Sequence, residues 1–382
     1  MKRLLCVVLG VSLLTTGVWA APAQQAAPVS LNLQAASAVL MEKETGTLLY
    51  EQNPHEQLEP ASVTKIMTLL LIFEAIDSGR ISREDMVTIS AYAAGMGGSQ
   101  VYLKEGEQMS VGELVKCITV VSGNDAAVAM AEYLSGSESA FVTGMNQRAA
   151  ELGMKNTNFV NCTGLPAQGH LTTAYDIALM FRELISNHPS IRDYTTIWMD
   201  SIRNGAFGLT NTNRLVRFYH GATGLKTGST DGAMYCMSAT AERNGMELIA
   251  VVMKSPTSAQ RFEDAKALLD HGFASYSLAD VHPEALPPVD VLLGVTDQVQ
   301  PQLSRDCRLL VKKGEESLIQ TQVTLCTDLE APVELGQTVG ELTVTVNGEV
   351  RDTIPIVSAQ SVERLTIPGI FQRLLRQAVM AE

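Results

Sequence analysis

Residues 59–68 read EPASVTKIMT and lead into a long apolar run. The run continues to residue 76, so its pattern predicts a buried helix over Val63–Ile76. Ser62 and Lys65 are three residues apart, and side chains at that spacing share one face of a helix. A serine hydroxyl is a poor nucleophile until a neighbour takes its proton, which a buried lysine with a lowered pKa can do. The segment therefore predicts a serine nucleophile with a lysine base. The alternative is a helix cap beside a surface lysine.

A second motif, Ser122-Gly123-Asn124, falls between two predicted helices. Ser122 could pass a proton to a leaving group, and Asn124 could hold a substrate amide. The alternative is an ordinary turn and helix cap. Ser30-Leu31-Asn32 fits the same Ser-x-Asn pattern, so this motif is informative only in combination with others.

A third motif, Lys226-Thr227-Gly228, falls in a predicted strand. Lys226 would lower the pKa of Lys65 by repulsion and, with Thr227, would bind a substrate carboxylate. The backbone N–H of Ser62 and a second N–H from the strand edge Lys226–Ser229 would stabilise an oxyanion. The alternative is a solvated strand end. Because each motif lies on the type of element that its role needs, the combination favours an enzyme.

The segment 34–276 that contains the motifs predicts one domain. Apolar and alternating runs predict strands at Ala36–Met41, Gly46–Tyr50, Leu225–Ser229, Met234–Ala241 and Glu247–Met253. Helical spacing predicts helices at Leu114–Val121, Ala126–Tyr133, Phe141–Leu152, Thr172–Ile185 and Ala259–Tyr276. Strands at both ends with helices between them predict an α+β fold, in which distant segments form one antiparallel sheet with helices packed on it.

The chain beyond this domain changes character twice. Prolines cluster near residues 276–288, and short alternating runs then predict a small all-β domain over 283–360, with Asn347-Gly348 as a hairpin turn. Residues 365–382 predict an amphipathic helix with Arg373 and Arg376 off its apolar face. Such a helix can lie in a membrane surface, which is our prediction. The alternatives are docking on the protein's own body and a dimer contact.

The first twenty residues predict a secretory signal peptide. Lys2 and Arg3 precede an apolar stretch that ends in small residues, and an Ala/Gln/Pro-rich linker over 21–33 follows. The alternative is a membrane anchor, for which the apolar stretch is short. Removal of residues 1–20 takes the formal charge from −13 to −15, because two cations and no acidic residue are lost. So acidic a chain is an unfavourable candidate for nucleic-acid binding.

The cysteines and histidines bear on disulfide pairing and on whether the chain is a metal-dependent peptidase. Five cysteines follow the signal peptide, and an odd number leaves one thiol free unless chains cross-link. Cys307 and Cys326 could pair, which the sequence leaves open. The six histidines form no cluster with metal-ligand spacing, which disfavours a zinc peptidase, and no Gly-x-Ser-x-Gly motif occurs.

With these motifs in hand, the chain resembles the low-molecular-mass penicillin-binding proteins, the serine-type D-alanyl-D-alanine carboxypeptidases of the peptidase S11 type. The resemblance rests on Glu59–Thr68, Ser122–Ala126 and Gly224–Gly228, and it extends over nearly the whole chain. It implies a β-lactamase/transpeptidase-like catalytic domain with helices on both faces of the sheet, followed by a small β-sandwich domain. Asn161–Leu165 and His170–Asp176 match further family segments, which we interpret as structural.

The resemblance also implies an activity and a location. The enzyme would remove the terminal D-alanine from peptidoglycan pentapeptide stems through an acyl-enzyme, without a metal or organic cofactor, and β-lactams would inhibit it. It would be exported to the periplasm or the outer face of the cytoplasmic membrane, with its C-terminal helix on the membrane surface. The implied site residues are Ser62 as nucleophile, Lys65 as base, Ser122 and Asn124 for proton transfer and positioning, Lys226, Thr227, Gly228 and Ser229 for substrate, and Arg261 near the carboxylate pocket.

Three other functions stay open at this point. A class A β-lactamase shares the three motifs but needs a further glutamate for fast deacylation, and none can be placed between Asn124 and Lys226. A non-catalytic wall-binding relative is the second alternative, against which the intact motifs argue. Endopeptidase action on cross-links is the third, since it would use the same motifs.

Overall fold

The computed structural model describes residues 31–283 and 285–371. The predicted signal peptide, most of the linker and most of the predicted C-terminal helix lie outside these residues. Residues 367–371, at the start of that predicted helix, are helical. In the described part of the chain, no helix has the length and apolar character needed to cross a membrane.

The first part of the chain alternates strands with helices. Its strands are β1 (Ser37–Glu42), β2 (Leu48–Gln52), β3 (Met86–Thr88), β4 (Gln108–Ser110), β5 (Met199–Ile202), β6 (Phe207–Thr210), β7 (Ala222–Thr230), β8 (Met234–Arg243) and β9 (Met246–Ser255). Its helices are α1 (Lys65–Asp77), α2 (Ala91–Ala94), α3 (Val111–Val120), α4 (Asn124–Ser135), α5 (Glu138–Glu151), α6 (Ala174–Asn187), α7 (Arg192–Thr195), α8 (Leu215–Phe218) and α9 (Ser258–Ser275).

The central sheet joins segments that lie far apart in the sequence. Its order is β2-β1-β9-β8-β7, and every neighbouring pair is antiparallel. β1, near the start of the described chain, pairs with β9, so that Ala38 lies opposite Val252. The predicted antiparallel sheet is thereby confirmed. β7, which carries the Lys-Thr-Gly motif, is an edge strand.

Helices cover both faces of this sheet. Side chains alternate between the two faces along a strand. Val39 and Val251 belong to the large core that α1 and α6 share. On the other face, α9 packs so closely that a Cβ on Gly272 would lie 2.5 Å from Leu248 Cδ1 and 2.9 Å from Leu40 Cδ2. The predicted helix-covered sheet is therefore correct.

Helix α1 is buried on almost all sides. Its first eight residues except Leu71 are fully or nearly fully buried, as expected of a helix that is apolar all round. The α-helix begins at Lys65, two residues after the predicted start, because Ala61–Thr64 form a tighter 3₁₀ turn. This turn carries Ser62.

Residues 276–283 and 285–366 form a region built mainly of strands, with a hydrophobic core of its own. Its strands are β10 (Tyr276–Asp280), β11 (Val289–Leu292), β12 (Gln298–Val299), β13 (Pro301–Leu303), β14 (Arg308–Lys312), β15 (Ile319–Leu325), β16 (Leu329–Glu330), β17 (Thr338–Val346) and β18 (Glu349–Ser358). The predicted hairpin joins β17 to β18, and Asn347 and Gly348 both have positive φ, at 52° and 80°.

One boundary differs from the sequence-based expectation, and one question that the sequence left open is answered. Helix α9 ends at Ser275 instead of the predicted Tyr276, and Tyr276–Asp280, for which the sequence predicted no strand, pair with β14 as β10. Cys307 and Cys326 are both free thiols, the first buried and the second exposed, so the disulfide that the sequence left open is not formed.

Candidate active site

The 3₁₀ turn Ala61–Thr64, which carries the predicted nucleophile Ser62 and is called the nucleophile turn below, packs closely against two glycines. A Cβ on Gly164 would lie 1.8 Å from the Ala61 carbonyl oxygen, and a Cβ on Gly228 would lie 2.8 Å from the Ser62 backbone nitrogen. Ala61 has a φ of 48°, a strained value that persists only where the surroundings impose it. The Ser62 side chain makes no helix-capping hydrogen bond, so the capping alternative is wrong.

Lys65 is fully buried, and its Nζ meets three oxygens. Ser62 Oγ lies at 3.0 Å, Asn124 Oδ1 at 2.6 Å and the Thr163 carbonyl oxygen at 2.7 Å. Burial lowers the pKa of Lys65 to about 7, although Cys162 and Asp125 favour the charged form. The lysine is therefore close to half neutral at neutral pH, and its nitrogen is within hydrogen-bond reach of the serine hydroxyl.

Asn124 occupies the first position of α4 and faces the lysine. Its Oδ1 accepts from Lys65, and its Nδ2 donates to the Gly97 carbonyl at 2.7 Å. The backbone N–H of Asn124 also donates to the Ser99 carbonyl at 2.7 Å. The amide that the sequence predicted for substrate binding thus also has contacts within the protein.

Ser122 lies between α3 and α4 with a φ of 65°. Its Oγ is buried and has no hydrogen-bond partner in the described part of the chain. A buried hydroxyl without a partner is unfavourable, and such groups are frequent at functional sites. No hydrogen bond therefore joins the Ser122 hydroxyl to Ser62 or Lys65 among the described residues.

Strand β7 brings the third motif to the nucleophile turn. Lys226 is fully buried and donates to the Thr227 carbonyl at 3.0 Å. Among the described residues no carboxylate forms an ion pair with Lys226. Burial, followed by repulsion from Lys65 and Arg261, holds the pKa of Lys226 well below its ordinary value. Lys65 therefore helps to lower the pKa of Lys226. The reverse effect that the sequence predicted is not found, because burial alone lowers the pKa of Lys65.

The remaining predicted residues flank the same strand. Thr227 Oγ1 donates to Thr212 Oγ1 at 2.9 Å, and Ser229 is exposed. Arg261 on α9 donates through Nη1 to the Gly228 carbonyl at 3.1 Å. The structure thus places Arg261 against the backbone of the Lys-Thr-Gly motif.

Sequence reasoning missed the contribution of the loop 161–165. Its Thr163 supplies a backbone carbonyl to Lys65, and backbone atoms have no signature in a sequence. His170, beyond this loop, meets Thr64 Oγ1 through Nε2 at 2.8 Å, while Nδ1 accepts from the Val160 N–H at 3.1 Å. Burial lowers the pKa of His170 to about 4, so its ring is neutral at neutral pH and connects this region to the nucleophile turn. The signal that was available was the match of Asn161–Leu165 to a family segment, which we interpreted as structural.

No cluster of three metal-ligating side chains occurs in residues 31–283 and 285–371. The arrangement brings a serine, a buried lysine, an asparagine and a glycine-containing strand edge into one site. These groups can carry out acyl transfer through a serine ester.

Comparison with known proteins identifies the family. The family model described as D-alanyl-D-alanine carboxypeptidase matches residues 22–257, and that of the penicillin-binding protein 5 C-terminal domain matches residues 284–364. The D-alanyl-D-alanine carboxypeptidase DacF of Bacillus subtilis is 42% identical over 375 residues, which cover 95% of each chain.

The chain belongs to the D-alanyl-D-alanine carboxypeptidase family.

Solved structures of relatives agree with this assignment. Penicillin-binding protein 5 of Haemophilus influenzae is 30% identical with a TM-score of 0.77, covering 89% of this chain and 100% of the relative. Penicillin-binding protein D2 of Listeria monocytogenes, solved in its ampicillin-bound form, is 34% identical with a TM-score of 0.59. That match covers 64% of this chain and 100% of the relative. The protein is a serine-type carboxypeptidase with a transpeptidase-like catalytic fold and an all-β C-terminal domain, and the predicted family, fold and enzyme class are confirmed.

Proposed function

We propose that Ser62 attacks the carbonyl carbon between the last two D-alanine residues of peptidoglycan pentapeptide stems and thereby releases the terminal D-alanine. The observation that carries this assignment is the 3.0 Å contact between Lys65 Nζ and Ser62 Oγ, with the lysine fully buried. A base must lie within hydrogen-bond reach of the proton that it takes. Lys65 meets that requirement.

The first step needs Lys65 in its neutral form. A neutral amine has two hydrogens and one lone pair, and Asn124 Oδ1 and the Thr163 carbonyl can accept the two hydrogens. The lone pair then faces Ser62 and takes the hydroxyl proton while Oγ bonds to the substrate carbonyl carbon. A tetrahedral oxyanion results.

The backbone N–H groups of Ser62 and Ser229 would stabilise this oxyanion. The close approach of Gly228 to the Ser62 nitrogen supports this role, because it brings the two backbone segments together. The terminal carboxylate would bind Lys226 and Thr227, with Arg261 close by at Gly228. A carboxylate beside Lys226 would restore the charge that burial disfavours.

Collapse of the oxyanion breaks the peptide bond, and the leaving amine must gain a proton. The proton on Lys65 would reach it directly or through the Ser122 hydroxyl, so D-alanine departs as the free amino acid. Water then attacks the Ser62 ester with Lys65 as base, which releases the shortened stem and regenerates the serine hydroxyl.

β-Lactams would acylate the same serine, and their esters would persist. The ampicillin-bound form of the Listeria relative supports β-lactam binding by this fold. No carboxylate hydrogen-bonds to Ser62 or Lys65 among the described residues, whereas class A β-lactamases use a glutamate for deacylation. This observation favours a carboxypeptidase over a β-lactamase.

Labelling with fluorescent penicillin tests the assignment. We expect one slowly decaying adduct by intact mass, located at Ser62 by peptide mapping. Ser62→Ala should abolish both the adduct and D-alanine release from a pentapeptide, with an unchanged circular dichroism spectrum. Rapid penicillin turnover without an adduct would instead identify a β-lactamase, and release that survives the substitution would exclude Ser62 as nucleophile.

We further propose that the enzyme is exported and associates with the membrane through residues 365–382. The basis is the sequence: an apolar helix face with cations beside it follows the β domain. A chain that ends at Ile367 should no longer sediment with lipid vesicles, while its activity on a soluble peptide stays unchanged. Undiminished vesicle binding by the signal-cleaved, shortened chain would contradict the proposal.

A further inference from the structure

The orientation of Lys65 depends on a backbone carbonyl that no regular element holds. Thr163 lies in the loop 161–165, outside the helices and strands of the structure. Its carbonyl oxygen is 2.7 Å from Lys65 Nζ and is one of the two acceptors that direct the lone pair toward Ser62. Whatever fixes this loop therefore affects proton transfer.

Besides the contact with Lys65, hydrogen bonds within the loop set its shape, and two further hydrogen bonds attach it to neighbouring elements in the described part of the chain. Asn161 Oδ1 accepts from the backbone N–H groups of Gly164 at 2.7 Å and Thr163 at 3.2 Å, which sets the turn itself. The attachments to the rest of the protein come from the Cys162 peptide groups. Its N–H donates to Glu138 Oε1 at 3.0 Å, and its carbonyl accepts from Thr68 Oγ1 at 2.7 Å.

Glu138 is itself held from the other side. It begins helix α5, where a carboxylate is favoured by the helix dipole. Its Oε2 accepts from the Tyr92 hydroxyl at 2.7 Å, and this contact raises the pKa of Tyr92 to about 12. Tyr92 therefore remains a hydrogen-bond donor, and both carboxylate oxygens have fixed partners.

We propose that Glu138 is a positioning residue for the acylation step: through the Cys162 N–H it holds the Thr163 carbonyl on Lys65. Glu138 makes no hydrogen bond to Ser62, Lys65 or strand β7, so it acts only through the loop. The inference rests on the proposed role of Lys65 as base.

The test compares Glu138→Ala with Glu138→Gln in the full-length enzyme. The measurements are kcat and KM for a pentapeptide and the second-order rate constant of penicillin acylation as a function of pH. Alanine leaves the Cys162 N–H without its acceptor, and we expect kcat and acylation to fall about tenfold. KM should stay within about twofold, because the carboxylate pocket lies on β7. Glutamine keeps an acceptor oxygen, so Glu138→Gln should restore most of the rate.

The pH profile separates positioning from mere stability. The titratable groups around Lys65 are Asp125 on α4, Cys162 on the loop and Lys226 on β7. If the loop loosens, water reaches Lys65 and stabilises its charged form, so the acidic limb of the Glu138→Ala profile should move to higher pH. The Glu138→Gln limb should stay in place. Glu151→Ala, which removes an exposed carboxylate at the other end of α5, is the matched control. It should change neither the acylation rate constant nor the pH of the acidic limb.

Thr68→Val provides an independent variant, because it removes the second attachment while keeping the side-chain volume. It should also lower kcat and the acylation rate constant. If Glu138→Ala does not fold, the kinetics of Thr68→Val test whether the attachment of the loop positions Lys65. A lowered melting temperature with unchanged kcat and pH profile in these variants would overturn the inference.

Peptide mapping of the penicilloyl group distinguishes failure of this inference from failure of the proposed function. A penicilloyl group away from Ser62 would overturn the proposed function itself, whereas a label at Ser62 with normal Glu138→Ala kinetics would overturn only this inference.

Discussion

At the scale of single residues, burial decides whether Lys65 carries a proton at neutral pH. An exposed lysine has a pKa near 10.4 and is almost always charged. Lys65 lies fully buried beside three oxygens and has a pKa of about 7. Lys226 is buried as well, and burial together with repulsion from Lys65 and Arg261 holds its pKa well below its ordinary value. In the mechanism that we propose, the same residue type thus acts as a base in one motif and binds a substrate carboxylate in the other.

The acylation rate should therefore depend on pH through Lys65. Only the neutral amine can take the Ser62 proton, and below its pKa of about 7 the neutral fraction falls about tenfold per pH unit. We expect the rate constant of penicillin acylation to rise with pH up to about 7 and to level off above it. Stopped-flow measurement between about pH 5 and pH 9 checks this. A flat profile over that range would show that Lys65 is not the base.

At the scale of elements, the edge strand β7 contributes to the candidate site because its backbone closely approaches the nucleophile turn. Gly228 places backbone against backbone at the Ser62 nitrogen, and Arg261 of α9 holds the Gly228 carbonyl from behind. The turn in Ala61–Thr64 is equally constrained on its other side by Gly164. The oxyanion site that we propose would thus depend on the fit between a strand and a turn that lie far apart in the sequence.

Gly228→Ala should disturb this fit. The new Cβ would lie 2.8 Å from the Ser62 nitrogen and 2.9 Å from the Pro60 carbonyl oxygen, and backbone atoms cannot rotate away. Loss of one oxyanion donor typically costs about 100-fold or more, and we expect acylation to fall by about that factor.

Gly208→Ala on β6, where a Cβ would have no neighbour within 4 Å, is the matched control. It should acylate at the normal rate. Equal rates for the Gly228 and Gly208 variants would argue against the close fit as a requirement.

At the scale of the whole molecule, the proposed chemistry lies in one part of the chain. All the site residues precede β10, and the catalytic core and the β-domain core are separate hydrophobic clusters. The Listeria relative matches only 64% of this chain over its own full length. Among the described residues, the all-β region thus contributes no side chain to the candidate site.

A chain that ends at Ser275 should keep its acyl-transfer activity. We expect penicillin acylation within about twofold of the full chain, because no residue of the site is lost. The melting temperature can fall, since β10 and its partner β14 are removed. Acylation that drops about tenfold in a chain with native circular dichroism would show that the β domain supports the site.

The sequence by itself determined the local features of this protein. Apolar spacing predicted α1 and the three consecutive strands from β7 to β9, because these patterns arise from side chains that are close in sequence. The Ser62–Lys65 pair was predictable for the same reason, since one helical turn brings the two side chains together. Asn347-Gly348 predicted its hairpin because few residues adopt positive φ at low cost.

Only the tertiary structure decided which groups contact Lys65 and the nucleophile turn. Asn124, the Thr163 carbonyl and the backbone at Gly228 reach the nucleophile turn from distant segments, and two of these contacts involve backbone atoms that every residue has. The 3₁₀ turn at Ser62 likewise follows from its packing against Gly164 and Gly228, which no local pattern records. Long-range packing sets the burial of both lysines, and that burial is the physical reason why the pKa of each lies below its ordinary value.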